Sequence, residues 1–172
     1  MKFYCVGIMM LVMCAATAFA AEKDELIAEA LSAAPPSISD EATVKDGAGN
    51  VLREGSNSWT CYPGSDAIGP MCNQAQWDAL LGALMKKDEI DVKEFSISYM
   101  LAGEGDAIGV SNSDPFAADP AAAEDFVKEG PHLMILVPDA KALEGLPTDP
   151  EAPVYVMWKG TPYAHIMVKI TE

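Results

Sequence analysis

Both histidines of this 172-residue chain occur in the same local pattern, His-x-Met. One pair is His132 with Met134, and the other is His165 with Met167. Alternate side chains of a β-strand point to the same face, so each pattern places an imidazole beside a thioether. Soft thioether and borderline imidazole ligands together favour Cu(I). If the two strands are neighbours in one sheet, the four side chains converge on a candidate Cu(I) site.

A hairpin near the C-terminus adds further residues to this face. Gly160-Thr161-Pro162 is expected to form the loop between strands 154–159 and 163–170. In the register that this loop sets, Met157 lies opposite His165, and a slip by one residue would mix the polar and apolar faces. The predicted metal ligands are His132, Met134, Met157, His165 and Met167, and the ligand face is completed by Tyr155 and Tyr163.

Two other interpretations of these residues stay open. In an enzyme, His165 or His132 would act as a general base, oriented by an acidic residue of the loop at 102–129. In a purely structural face, the methionines would fill space and the histidines would be hydrogen-bonded core residues. Several acids of that loop are expected to be solvated: Asp114, Asp119, Glu124 and Asp125.

The elements that must position these side chains are strands with two distinct faces. Residues 95–101 and 132–137 alternate between an aliphatic or aromatic face and a face of serine, methionine, leucine and histidine. We expect the first face to pack against a helix that carries Trp77 and Leu84. The second face would be covered by loops, a partner or a ligand, or left wet. The pattern therefore predicts an α+β fold, an antiparallel sheet with helices packed on one face.

Three segments carry helix patterns. Residues 23–33 have a narrow apolar stripe, and two prolines follow it. Asn73 is expected to cap the next helix, with Gln76 as its capping-box partner. The apolar face of that helix comprises Trp77, Leu80, Leu81, Leu84 and Met85. Residues 120–129 predict a short third helix with Pro120 in its first turn.

Cys61 and Cys72 are the cysteines that follow residue 20. The segment between them holds two prolines and two glycines, which indicates a loop. Two cysteines that close a short loop in an oxidising compartment predict a disulfide. A redox-active pair more often has the C-x-x-C spacing, so a structural disulfide is the favoured interpretation.

Residues 1–20 have the features of a cleavable signal peptide. Lys2 precedes an apolar run that is shorter than the roughly 20 residues needed to span a bilayer. Ala18-Phe19-Ala20 matches the small-x-small pattern that signal peptidase requires. We expect cleavage after Ala20, a single acidic α+β domain over 21–172, and a periplasmic or secreted location. A lipoprotein anchored through Cys14 is the alternative, which the large residue before that cysteine disfavours.

The composition narrows the choice of partners. The chain has 26 Asp and Glu against 11 Lys and Arg, a net charge of −15. Nucleic acid and anionic lipid would be repelled, so neither is expected as a partner. No second hydrophobic segment is long enough for stable insertion into a membrane. The favoured function is an exported, soluble, non-enzymatic binding domain for a soft metal ion or a small ligand.

Four motifs resemble those of a family of uncharacterised exported bacterial proteins. They are Ser111-Asn112-Ser113-Asp114-Pro115, Gly130-Pro131-His132, Gly145-Leu146-Pro147-Thr148-Asp149-Pro150 and Val156-Met157-Trp158-Lys159-Gly160-Thr161-Pro162-Tyr163-Ala164-His165. The resemblance covers most of the chain after residue 20. It implies export, but it carries no established activity and assigns no functional residue.

Overall fold

The computed structural model describes residues 20–170 of the chain. The predicted signal peptide, apart from its last residue, lies outside this part, as does Cys14. The helices are α1, which is described from residue 20 and ends at residue 31, α2 (Pro36–Ser39) and α3 (Ala75–Lys86). The strands are β1 (Thr43–Lys45), β2 (Val51–Arg53), β3 (Thr60–Tyr62), β4 (Met71–Asn73), β5 (Ser96–Met100), β6 (Val110–Ser111), β7 (Phe126–Val127), β8 (His132–Leu136), β9 (Val154–Met157) and β10 (His165–Lys169).

Eight of the strands form one sheet in the order β2-β1-β3-β4-β5-β8-β10-β9. Neighbouring strands are antiparallel, except that β1 and β3 run parallel. β6 and β7 form a separate two-stranded ribbon. The prediction of an α+β fold is confirmed, with a mostly antiparallel sheet, helices and one loop closed by a disulfide.

The disulfide joins Cys61 of β3 to Cys72 of β4, as predicted. The two cysteines are direct partners in the antiparallel ladder, with α-carbons 4.0 Å apart. Both are completely buried beneath α1, where the Sγ of Cys72 lies 3.6 Å from the carbonyl oxygen of Ala30. The bond therefore ties two central strands together within a small core that α1 covers.

The predicted hairpin register is confirmed. Met157 of β9 lies opposite His165 of β10. β8 is the other neighbour of β10, so both His-x-Met segments lie on adjacent strands. β9 ends earlier than predicted because Trp158 adopts a left-handed backbone conformation, with φ at 56°. The connection between the strands consequently spans residues 158–164.

The alternation of faces is confirmed, but the prediction of which face packs on α3 is wrong. The face with serine, methionine and histidine is the buried one in β5 and β8, comprising Ser96, Ser98, Met100, His132, Met134 and Leu136. Ile97, Leu133 and Ile135, on the opposite face, remain partly exposed. Trp77 of α3 packs edge-on against His165, with ring centroids 5.0 Å apart. The sheet surface beneath α3 is therefore the His/Met face.

α1 lies on the other face of the sheet from α3. It packs against Cys72 and Tyr99, which are ladder partners in β4 and β5. The helices therefore cover both faces rather than one. Hydropathy alone favours the wrong face of β5 and β8, because the buried face carries serine and histidine beside methionine and leucine. Flexible methionine side chains can fill the irregular space beneath a helix, which makes the His/Met face suitable for the core.

The predicted capping of α3 is also wrong. Asn73 lies in β4, where its Oδ1 accepts a hydrogen bond from Ser98 at 2.5 Å and its amide donates to Asp78 at 3.2 Å. The residue before α3 is Gln74, which makes no side-chain capping bond. At the other end of α3, Met85 is 84% exposed and does not join the predicted apolar face.

Residues 120–129 do not form the predicted helix. They contain one 3-10 turn at Pro120–Ala122, followed by β7. Asp125 accepts hydrogen bonds from the hydroxyl of Ser111 at 2.8 Å and the amide of Ser113 at 2.7 Å. These contacts and the pairing of β7 with β6 hold the segment extended, so non-local bonding overrides its local helix propensity.

Candidate metal centre

Both histidines are buried, and each has one ring nitrogen without a partner. His132 is 0% exposed and His165 is 1% exposed. Nδ1 of His132 lies 2.7 Å from the carbonyl oxygen of Gly130, and Nδ1 of His165 lies 2.9 Å from that of Tyr163. A carbonyl oxygen can only accept, so in the neutral ring Nδ1 carries the proton. Nε2 of each ring, which has no hydrogen-bond partner among the described residues, then presents a free lone pair.

Burial keeps both imidazoles neutral at pH 7. It lowers the pKa of His165 to about 4; the hydrogen bond to Tyr163 acts in the opposite direction, and nearby His132 lowers the pKa further. Burial also lowers the pKa of His132, against the opposing effects of the Gly130 carbonyl and the Glu129 carboxylate. A neutral imidazole with a free Nε2 is the form that binds metal ions.

The strand register brings four of the five predicted ligands into one group. Met157 is the direct partner of His165, and Met134 is the direct partner of Met167. Directly opposed residues on one face have β-carbons about 4.5–5.5 Å apart. His165 and Met167 lie two residues apart on β10, so they share that face. Three thioethers and one imidazole therefore occupy neighbouring positions.

His132 stands at the far end of the same row. It is the partner of Lys169, which is four residues beyond His165 on β10. At roughly 3.3 Å per residue, the backbone positions of the two histidines are offset by about 13 Å along the strands, and both side chains reach the same cavity. Met134 and Met167 occupy the positions between them. The structure thus places both imidazoles on one face, with His165 inside the methionine group and His132 at its edge.

All five predicted ligands line one cavity of about 40 Å³ beneath α3. Trp77 and Trp158 also line it, and both meet the His165 ring edge-on, at 5.0 and 5.2 Å between centroids. A water molecule needs about 10–15 Å³ of such space, so the cavity has room for one ion or a few waters. Typical small-molecule sites have roughly 300–1,000 Å³. The cavity therefore fits a metal ion far better than an organic ligand.

The two tyrosines of the predicted ligand face are buried but do not line the cavity. The hydroxyl of Tyr155 donates to Glu129 at 3.0 Å, and the hydroxyl of Tyr163 donates to the carbonyl oxygen of Asp88 at 2.7 Å. Burial, together with the neighbouring Glu129 carboxylate, raises the pKa of Tyr155. Both hydroxyls thus have protein partners, and only Glu129 among these partners lines the cavity.

Glu104 and Glu129 line the cavity and were missed by sequence reasoning. Both belong to the 102–129 loop. Glu129 is paired with Lys169 at 3.2 Å, and its backbone carbonyl accepts the amide of Glu104 at 2.9 Å. The signal in the sequence that pointed to Glu129 is its spacing, since it comes three residues before His132. Neither carboxylate orients a histidine, because backbone carbonyls occupy both Nδ1 atoms.

Within residues 20–170, no three His, Cys, Asp or Glu side chains gather into a group that could hold a metal ion. An ion in this cavity would therefore depend on the thioethers for most of its ligands. In the same part of the chain, no helix combines the length and apolar character needed to cross a membrane.

The burial of His165 predicts a pH-dependent stability. The unfolded chain takes up this proton near pH 6.5 and the folded chain near pH 4, so the unfolded state binds more protons between these values. Stability is therefore lost as the pH falls through this window. His165 alone should lower the free energy of unfolding by about 2 kcal/mol between pH 7.5 and pH 5.

Urea unfolding of the wild type and of His165→Gln at the two pH values would measure this contribution. The comparison with the variant is needed because burial raises the pKa values of Asp78 and Glu104 in the folded protein. Protonation of these two carboxylates as the pH falls therefore stabilises the folded state, which opposes the effect of His165. The variant should lose about 2 kcal/mol less than the wild type. NMR titration gives an independent check, and an imidazole of the folded protein titrating near pH 6.5 would contradict the burial argument.

No model of a known protein family, no curated protein and no solved structure matches this chain. The resemblance to exported bacterial proteins therefore stays a prediction.

Proposed function

We propose that this chain is an exported binding domain that holds one Cu(I) ion in the cavity beneath α3. The observation that carries the proposal is a buried, neutral imidazole with a free Nε2, His165, which shares a small cavity with three thioethers. Sulfur and imidazole nitrogen in this combination match the ligand preference of Cu(I). The hard cations Ca²⁺ and Mg²⁺ require oxygen ligands in larger number.

The proposed ligands are His165, Met157, Met167 and Met134. They are chosen because Met157 and Met167 adjoin His165 directly and Met134 is the strand partner of Met167. His132 lies about 13 Å along the strands from His165, so it is assigned a lesser role than the other four. The smaller contribution expected of His132 distinguishes this site from a general affinity of histidine and methionine side chains for soft metals.

Export is consistent with the disulfide. A buried bond between Cys61 and Cys72 is typical of a protein that folds in an oxidising compartment. It also removes both of these sulfurs from competition for the metal, since a disulfide offers no thiolate. The thioethers then become the strongest soft ligands of the domain.

Metal titration of the exported protein tests the proposal. Intact mass should first establish a chain that begins at Ala21 and carries no lipid on Cys14. Ag(I) serves as a redox-stable probe of soft-ligand binding, and anaerobic competition with a chromogenic Cu(I) chelator measures Cu(I) itself. Because Trp77 and Trp158 contact His165, binding should change the tryptophan fluorescence.

Met157→Leu and Met167→Leu should each weaken binding at least tenfold, about 1.4 kcal/mol. Leucine keeps the volume of methionine and removes the sulfur, so the fold should be retained. His165→Gln should have an effect at least as large, and His132→Gln a smaller one. The matched control is Met85→Leu, because Met85 is exposed and does not line the cavity. A wild type with no affinity for either ion, or equal affinities in all five variants, would disprove the proposal.

An enzyme is the second candidate, favoured by the two carboxylates that line the same cavity. His165 or His132 would be its general base, and Glu104 or Glu129 its acidic partner. The backbone carbonyls on both Nδ1 atoms and the lowered pKa of both rings count against this candidate. Turnover that persists in Met167→Leu and is abolished in Glu104→Gln would favour it over a metal site.

A further inference from the structure

Glu104 separates the cavity from a groove on the outside of the molecule. Its side chain lines the 40 Å³ cavity beneath α3 and also lines an open groove of about 350 Å³. The residue is only 7% exposed. Its Oε2 accepts the amide of Gly69 at 2.8 Å, which fixes the carboxylate at the boundary. Among residues 20–170, no other residue lines both spaces.

The outer groove is acidic. Glu29, Asp66 and Asp106 line it together with Glu104, and no lysine or arginine of the described part of the chain does. A concave surface lined by one sign of charge raises the local concentration of the opposite ion and speeds its association. The groove alone would be an ordinary solvated acidic surface. What distinguishes it is the buried carboxylate at its floor, which opens onto a cavity with two unpartnered imidazole nitrogens.

The carboxylate of Glu104 has a further unusual feature. Among the described residues it has no ion-pair partner, whereas neighbouring Glu129 is paired with Lys169. A buried charge without a partner is costly. The proposed ligands of the cavity are all neutral, so a cation bound there would in turn lack a compensating charge. A monovalent cation in the cavity would give the Glu104 carboxylate an ion-pair partner, and the carboxylate would in turn balance the charge of the cation.

We infer that the cation passes from the acidic groove into the cavity by way of the Glu104 carboxylate. This carboxylate then balances the charge of the bound ion. This inference rests on the function proposed above. It makes Glu104 a positioning residue that acts on the rate of loading, while the thioethers and His165 hold the ion.

Stopped-flow loading of the exported protein with Ag(I), followed by tryptophan fluorescence, tests the inference. Glu104→Gln should slow association at least tenfold. The amide oxygen of glutamine can still accept the Gly69 amide, so the wall should keep its structure. Glu144→Gln is the matched control, because Glu144 is exposed and lines neither space. In the wild type, added salt should slow loading, because it screens the attraction of the groove for the ion.

The outcomes distinguish the inference from the proposed function. If the wild type binds Ag(I) and Glu104→Gln loads at the wild-type rate, the inference is overturned and the metal site stands. If the wild type binds neither Ag(I) nor Cu(I), both fail. Should Glu104→Gln not fold, Asp106→Asn takes its place. Asp106 is exposed and lines the groove, so this substitution should slow loading several-fold, and an unchanged rate overturns the inference.

Discussion

Leu136→Ala is expected to lower the free energy of unfolding by about 3–4 kcal/mol, because it leaves a void in the core. Leu136 is completely buried on the His/Met face and belongs to the main cluster beneath α3. Ile135 is the next residue on the same strand, points to the opposite face and is partly exposed. Ile135→Ala should therefore cost clearly less, about half as much.

Urea unfolding of the two variants, with fluorescence and circular dichroism as probes, measures the difference. The pair is well matched, since both residues lie in β8 and each substitution removes three side-chain carbons. The sequence pattern alone would rank them in the opposite order, with Ile135 in the core. A larger loss for Ile135→Ala would mean that α3 packs on the other face of the sheet.

Removal of the disulfide should have an effect of similar size. The double variant Cys61→Ala/Cys72→Ala is expected to lose about 3 kcal/mol, chiefly because the unfolded chain is no longer constrained by the closed loop. Alanine is preferred to serine here, since both positions are completely buried in a cluster of apolar side chains and a hydroxyl would be left without a partner.

Reductant supplies the control for this experiment. Unfolding the wild type in urea with dithiothreitol should lower its midpoint to near that of the double variant, whose own midpoint should not change. Native, unreduced protein should also show no reactive thiol at these two positions. Labelling of Cys61 or Cys72 under native conditions would contradict the disulfide, and a loss below about 1 kcal/mol would mean that the bond contributes little.

The relative arrangement of the candidate ligands could be predicted from the sequence. Alternation along a strand determines which residues share a face, so His165 with Met167 and His132 with Met134 followed from spacing alone. The hairpin loop determined that Met157 faces His165, because any one-residue slip would exchange the two faces. The spacing of Cys61 and Cys72 in a proline- and glycine-rich segment was enough to predict their bond.

Local patterns failed where distant residues compete for the same groups. Asn73 has the side chain of a helix cap, but it lies in β4, where distant Ser98 donates to its Oδ1 and Asp78 of α3 accepts from its amide. Residues 120–129 have a helical composition, but the pairing of β7 with β6 holds part of the segment extended. Ser98 and β6 come from elsewhere in the chain, so the local sequence contains no trace of these two partners.

The sequence by itself thus determined which side chains lie together, and the tertiary structure decided what covers them. Period-two alternation is symmetric: it divides a strand into two faces but does not say which one a helix will bury. Both faces here are apolar enough to form a core, and only the path of the chain into α3 selected the His/Met face. The same long-range packing brought Glu104 to the cavity wall, against Gly69, a position that no local periodicity specifies.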